Sequence, residues 1–296
     1  QSAGAVPGPV AFGRGGTEPT VTDAHIVLGR LDAAELAGGV ALDRARARAA
    51  VAALAKRMRV TPERTAEAIV AIADAAVARA LRRVSVERGV DPRHCVLVAF
   101  GGGGPLHGCA LAELLGMRRI LVPPHAGVLS ALGLAIAPER REAATSVMRV
   151  AATMTKADVA KLHDTLASRA RDAMTVARVT AHARVRYAGQ GYELDVPFTA
   201  RESGAAIARR FAGLHQKRYG FTLDRSIEVV AARAAALGKA LRVKLAPAQP
   251  PGGRIARRPA PLRGPRVLTL ADATMVVARG WTARALPIGG WLLERR

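Results

Sequence analysis

Apolar residues recur along this chain with two periods, and each period predicts a kind of element. Ala66, Ile69, Val70, Ala73, Val77, Ala80, Leu81 and Val84 return every three or four residues, the mark of one long amphipathic helix. Thr61 suits its N-cap, Pro62 its first residue and Glu63 its first turn, and Gly89 ends it. Asp43 to Arg59 predicts a second helix with Val51, Leu54 and Met58 inward. Helices are also expected over 155–178 and over IARRFAGLHQKRYGF, which stops at Gly220. ARVRYAGQGYELDVPF alternates like a strand pair around Gly189–Gly191, and IEVVAARAAALG reads as another strand. Residues 1–30 are rich in Gly and Pro and predict ordered turns rather than helix or strand. Residues 245–265 read as a Pro/Gly/Arg-rich linker, and VLTL, MVVA and WLLE beyond it as a small β unit.

One stretch breaks the pattern. CVLVAFGGGGPLHGCALAELLGM, residues 95–117, runs six apolar residues into four glycines, a proline and a helical pattern. Cys95 to Phe100 suit a buried strand, and Pro105 suits the first turn of a helix, where its missing N–H costs nothing. That helix would bury Leu106, Ala110, Leu111, Leu114 and Leu115 and stop at Gly116, before a second strand, RRILVPP. The unit is strand–helix–strand, which argues for an α/β layer. HAGVLSALGLAIAP follows as an apolar turn or short helix. Gly101 to Gly104 leave the backbone bare at the junction, where a phosphate or nucleoside can approach the N–H groups at a helix start. A tight turn that binds nothing has the same sequence, and both readings stand at this point.

Composition narrows the class. The 296 residues are half hydrophobic, which describes a globular protein with length for one large domain or two to three small ones. No stretch makes a bilayer span and no secretion signal is evident, so no membrane role is expected. Residue 1 is Gln, so the chain is expected to start partway through a longer product or to have been processed. Cys95 and Cys109 form neither metal-ligand spacing nor a disulfide framework, which fits a reducing cytosol. Cys109 lies early in its helix, where the dipole lowers a thiol pKa, but a buried inert thiol is the expected state. Forty-five Lys and Arg against 23 Asp and Glu give a net charge of +22, which raises nucleic-acid binding. The charges are spread along the chain and only 3% of residues are aromatic, so specific nucleic-acid recognition is not expected.

Several long stretches resemble the hydantoinase A / 5-oxoprolinase family, which includes N-methylhydantoinase large subunits and acetone carboxylase β subunits. They are SAGAVPGPVAFGRGGTEPTVTDAHIVLGRL at 2–31, VSVERGVDPRHCVLVAFGGGGPLHGCALAELLGM at 84–117 and VPPHAGVLSALGLA at 122–135. RYAGQGYELDVPF, HQKRYGF and IEVVAARAAALG add to them in order. The resemblance implies an α/β fold: part of an actin/Hsp70-like (ribonuclease-H-like) ATPase core over 1–150, an α+β region over 151–244, and the linker and small β tail over 245–296. It implies ATP-dependent opening of a cyclic amide, in which phosphorylation of the carbonyl oxygen makes a poor electrophile reactive. It places Gly101, Gly102, Gly103, Gly104, Pro105 and His107 against the nucleotide, with Ser2 and Gly4 of SAGAVPGP in a second glycine-rich wall. His107 is expected to bond ligand or backbone, or to serve as a structural histidine at the helix start.

The chain also departs from the family. Val6 stands where the family usually has Asp, and Asp74 where it has Asn. The family's GGT-F-TD and GGTS-TD loops, which hold the phosphates and Mg²⁺, are not in this sequence, and no GKS or GKT loop replaces them. The resemblance therefore implies a chain inactive alone, partnered by the N-terminal half of the large subunit and a hydantoinase B-type subunit, with Mg²⁺ held mainly by that half. The other reading is a non-catalytic remnant or partner-binding module. Glu193 and Asp195 share one face of a strand, as paired acids or as a solvated face. His125 either lines a cleft or caps a turn. His215, with Arg218 and Tyr219, is expected to be structural, and Trp281 and Trp291 to anchor the C-terminal core.

Overall fold

The computed structural model describes residues 2–31, 41–172, 174–175, 178–241 and 260–295, as mixed α/β. They divide into two units: residues up to Leu134 together with 260–295, and 135–241.

In the first unit, three helices form one cluster. They are α1 (Val21–Val27), α2 (Arg44–Met58) and α3 (Pro62–Val86), joined through Ala24, Val51, Ala66 and Val70. Asp43 and Thr61 cap α2 and α3 by accepting from Arg46 N–H and Arg64 N–H. α1 lies where turns were expected. A reciprocal cap between Thr20 and Asp23 starts it in spite of the flanking glycines and prolines. The buried stripe of α3 is Thr65, Ala66, Val70, Asp74 and Ala78, so Val77, Ala80 and Val84, expected inward, are exposed. Met58 is exposed as well, because α2 packs through Ala47, Val51 and Ala55, small side chains that allow close approach.

The strand–helix–strand unit is present: β1 (Leu97–Val98) and β2 (Arg119–Val122) are parallel, with α4 (Gly104–Leu115) between them. Gly116 ends α4 in the left-handed conformation, as expected. Leu114 is exposed and Ala110 half-buried; the buried face runs through Leu106, Gly108, Cys109, Leu111, Ala112 and Leu115. After β2, α5 (Leu129–Ile136) fills the HAGVLSALGLAIAP stretch. The C-terminal runs form β7 (Leu262–Arg263), β8 (Arg266–Thr269), β9 (Thr274–Val277), β10 (Trp281–Ala285) and β11 (Trp291–Arg295). β8 and β9 make a separate hairpin, while the others complete a sheet of order β1-β2-β11-β10-β7. Thus WLLE is not a free-standing tail strand: β11 lies antiparallel beside β2, with Leu292 opposite Leu121. Trp281 and Trp291 pack in one core with α4, and Trp281 donates its indole N–H to Glu113 at 2.8 Å. Residues 245–259 of the expected linker lie outside the described residues.

The second unit is an antiparallel sheet of order β3-β6-β4-β5 carrying two helices. The elements are β3 (Arg140–Val150), α6 (Lys156–Arg171), β4 (Arg178–Tyr187), β5 (Leu194–Phe198), α7 (Gly204–Tyr219) and β6 (Ile227–Leu237). Alternation puts Leu194, Val196 and Phe198 inward, against Ile207 and Phe211 of α7. The sequence pattern does not predict β3, whose exposed face carries arginines and whose inward positions are small.

Candidate functional site

The site begins at the C-terminal end of β1. Ala99 N–H still reaches Leu121 of β2, at 2.9 Å, and then the chain turns. Gly101 takes φ +82°, a conformation that disfavours any residue with a Cβ, and its N–H bonds Ala126 O at 2.7 Å. Gly102 and Gly103 are exposed, and a Cβ built on Gly101, Gly102 or Gly103 meets nothing within 4 Å. Among the described residues, the N–H groups of Gly102 and Gly103 have no intramolecular acceptor. They precede a helix of 12 residues, whose dipole adds partial positive charge at that end. Gly104 opens α4, with Ala99 backbone 3.5 Å from where its Cβ would be, and Pro105 is buried behind it. The turn is thus open on its outer side and packed on its inner side.

A buried polar chain braces the same end of α4. His107 Nδ1 lies 2.6 Å from Asp74 Oδ1 on α3, and its Nε2 lies 3.3 Å from Nε2 of His25 on α1. Asp74 is almost fully buried, and its carboxylate oxygen accepts from the Nδ1–H of His107. The two Nε2 atoms then share a single proton. His25 is pulled well below the ordinary histidine range, to about 3, first by burial and then by the nearby His107 and Arg30 charges, so it is neutral near pH 7. Its Nδ1 is buried with no partner among the described residues. Both ring nitrogens of His107 are therefore engaged. The ring fixes the first turn of α4 and offers a ligand no free nitrogen. Leu106 adds an apolar anchor, sharing a core cluster with Ala11, Ile26 and Ala47. Sequence reasoning singled out His107 and Asp74 separately but missed their contact and missed His25. The signal available was the T-x-x-D start of α1, which fixes the helix face that His25 occupies.

The N-terminal segment is held by Asp23, fully buried, which accepts from Val10 N–H, Ala11 N–H, Thr20 N–H and Thr20 Oγ1–H at 2.8–3.2 Å. Ser2 and Gly4 are exposed upstream of it, and Ser2 Oγ accepts from Gly4 N–H at 3.2 Å. Cys109 is buried, and burial raises its thiol to about 11, the inert state expected. Among the described residues no group of three or more His, Cys, Asp or Glu is arranged to hold a metal ion.

In the second unit Arg184 Nη2 lies 2.7 Å from Glu193, and Arg233 Nη2 lies 2.8 Å from Asp195, so the two acids have separate partners. They line an open cavity of about 650 Å³ with Leu194, Leu214, Lys217 and Arg218. His215 is fully buried, bonded by Phe221 O at 2.9 Å and Gln190 Nε2 at 3.2 Å, and packed against the rings of Tyr187, Phe211, Tyr219 and Phe221. His125 holds a left-handed turn position, φ 56°, ahead of the short helical turn Ala126–Val128.

Comparison with known proteins gives this geometry a context. Residues 1–143 match the model of a family described as Hydantoinase/oxoprolinase. An uncharacterized protein of Methanocaldococcus jannaschii is 38% identical over 241 residues, 80% of this chain and 35% of its own length. Caprolactamase subunit alpha of Pseudomonas jessenii is 33% identical over 249 residues, 78% of this chain and 36% of its own length. The crystal structure of ATP-dependent caprolactamase from Pseudomonas jessenii superposes with a TM-score of 0.75 at 26% identity, covering 100% of this chain and 49% of that one. This chain spans about a third of the length of the curated relatives it matches.

Proposed function

We propose that this chain, whose residues 1–143 match the hydantoinase/oxoprolinase family, forms the nucleoside side of an ATP-dependent hydrolase that opens cyclic amides. The observation that carries this is the turn at Gly101–Gly104. Its N–H groups at Gly102 and Gly103 are unpaired, the space over three glycines is open, and a helix N-terminus lies behind it. Pro105 and His107 hold the turn in place, and Ser2 and Gly4 contribute a second glycine-rich wall. Glycine suits the position because any side chain would fill the space a base or ribose needs.

When bound, ATP supplies a phosphoryl group that turns an unreactive amide oxygen into a leaving group. Phosphoryl transfer needs positioned metal and phosphate donors, and we assign Mg²⁺ and the remaining phosphate contacts to the portion of the polypeptide that the relatives carry beyond this chain. The chain is thus inactive alone and works with that N-terminal half and with a hydantoinase B-type subunit. The relative's designation as a subunit alpha supports a multi-subunit assembly. Among the described residues no helix is long and apolar enough to cross a membrane, and a cytoplasmic site of action is the one proposed. A second reading, a non-catalytic partner-binding module, draws on Val6 and on Asp74, whose buried carboxylate is tied to His107 where the family has Asn.

The test is ATP hydrolysis by this chain alone and co-expressed with the polypeptide encoded upstream, with and without caprolactam, hydantoin or 5-oxoproline. The proposal expects no turnover alone and cyclic-amide-stimulated turnover in the complex. A complex that binds nucleotide without any turnover supports the non-catalytic module, and a complex that binds none overturns the nucleotide assignment.

A further inference from the structure

β1 has the composition of a strand enclosed on every side, yet it lies at the margin of its sheet. It pairs only with β2, and the remaining order runs away from it through β11, β10 and β7. Its two faces are both apolar. Cys95, Leu97 and Ala99 turn into the core with α4, whereas Val96, Val98 and Phe100 stand 38%, 46% and 46% exposed on the other face. The open face continues across the sheet, because Val98 is in register with Leu121 and Leu121 with Leu292, both half-buried. Among the described residues the N–H groups of Val96 and Phe100, flanking β1 on the unpaired side, have no acceptor.

Two physical rules bear on this margin. A parallel strand with apolar residues on both faces is normally interior to its sheet and covered by helices. A free apolar edge with unpaired backbone is normally blocked by a charge, a proline or a bulge, and none lies between Cys95 and Phe100. The shortness of β1, two residues from a six-residue apolar run, fits the same picture, since a ladder on one side alone leaves half of its hydrogen bonds unmade.

We infer that the free edge of β1 is completed by a β-strand from the portion of the polypeptide that the relatives carry and this chain does not span, with an apolar layer of the same portion covering Val96, Val98 and Phe100. The relatives supply ample length, since this chain corresponds to 35% and 36% of theirs. The choice of occupant rests on the family reading above. The added strand would end beside Gly101–Gly104, so the interface and the turn share one rim.

The test co-expresses the chain with the polypeptide encoded upstream and compares amide hydrogen exchange in the chain alone and in the complex. Exchange at Val96, Val98 and Phe100 is expected to slow on the order of a hundredfold in the complex. Val96→Lys with Val98→Lys, at exposed positions, is expected to leave the thermal melting of the chain within a few degrees and to abolish co-purification. ADP affinity of the complex is measured in parallel. Protection without ADP binding removes the proposed function and keeps the interface, and ADP binding without protection does the reverse. Failure to co-purify, full binding by the double lysine variant, or protection produced by self-association of this chain each overturns the inference.

Discussion

Lowering the pH should unfold the first unit through one residue, His25. The native site holds this imidazole neutral, with a pKa of about 3, while in the unfolded chain it returns to about 6.5. A group whose pKa is depressed on folding adds stability that is present above the unfolded value and lost as pH falls toward the folded one. Above pH 6.5 the contribution is complete, and it fades between 6.5 and 3. At about pH 4.5 the unfolded chain has gained a proton the native site refuses across two pH units, which costs about 3 kcal/mol; by about pH 3 the loss reaches about 4 kcal/mol. His25→Gln keeps a donor for His107 Nε2 and removes the titration. Urea unfolding of both proteins at about pH 7 and pH 4.5 isolates the effect, because carboxylates such as Asp91 and Asp158, held down to about 2 by their hydrogen bonds, contribute equally to both. Both tryptophans, Trp281 and Trp291, lie in the affected unit, so fluorescence follows its unfolding. The wild-type chain should lose about 3 kcal/mol more than the variant between the two pH values. Equal losses would refute the buried neutral state of His25 and with it the proton arrangement drawn for His107.

Asp23→Ala removes one carboxylate that satisfies three backbone N–H groups and a hydroxyl, and should cost about 3 kcal/mol or more by thermal or urea unfolding. Trp281→Phe leaves Glu113 without its indole partner and a gap in the core, for a loss of about 1–3 kcal/mol in the same assay. Iodoacetamide at neutral pH should modify Cys95, which is half-buried, well before Cys109, whose thiol is raised to about 11; peptide mass spectrometry reads the order.

Local rules made much of this fold legible. The caps at Asp43 and Thr61, the stop at Gly220 and the alternation through Leu194–Phe198 are short-range signals, and the structure realises each one. Failures occurred where tertiary partners decide. Met58 and Val77 satisfy helical spacing, but α1 and α3 approach α2 through alanines, which rotates the buried stripe away from the larger side chains. The place of WLLE beside β2 depends on a pairing across more than a hundred and sixty residues, which no local pattern encodes. The glycine turn was legible because four consecutive glycines strip the backbone of side chains just where an apolar run gives way to a helical one. The Asp74–His107–His25 chain was not, since it joins three helices whose relative rotation periodicity leaves open.

The central claim is that Gly101–Gly104 cradles a nucleotide, and the structure separates that role from a purely conformational one. Gly102 and Gly103 lack the left-handed backbone of Gly101, Gly103 having φ −100°, and a Cβ at either position meets open space. Gly102→Val and Gly103→Val should therefore change stability by no more than about 1 kcal/mol, whereas Gly101→Val should cost about 1–3 kcal/mol through its positive φ. The decisive measurement is calorimetric titration of ADP into the co-expressed complex carrying Gly102→Val or Gly103→Val, with its melting temperature taken alongside. The account predicts an unchanged melting temperature and a loss of ADP affinity of at least about tenfold, equal to about 1.4 kcal/mol. A folded variant that binds ADP as tightly as the wild-type complex would contradict it.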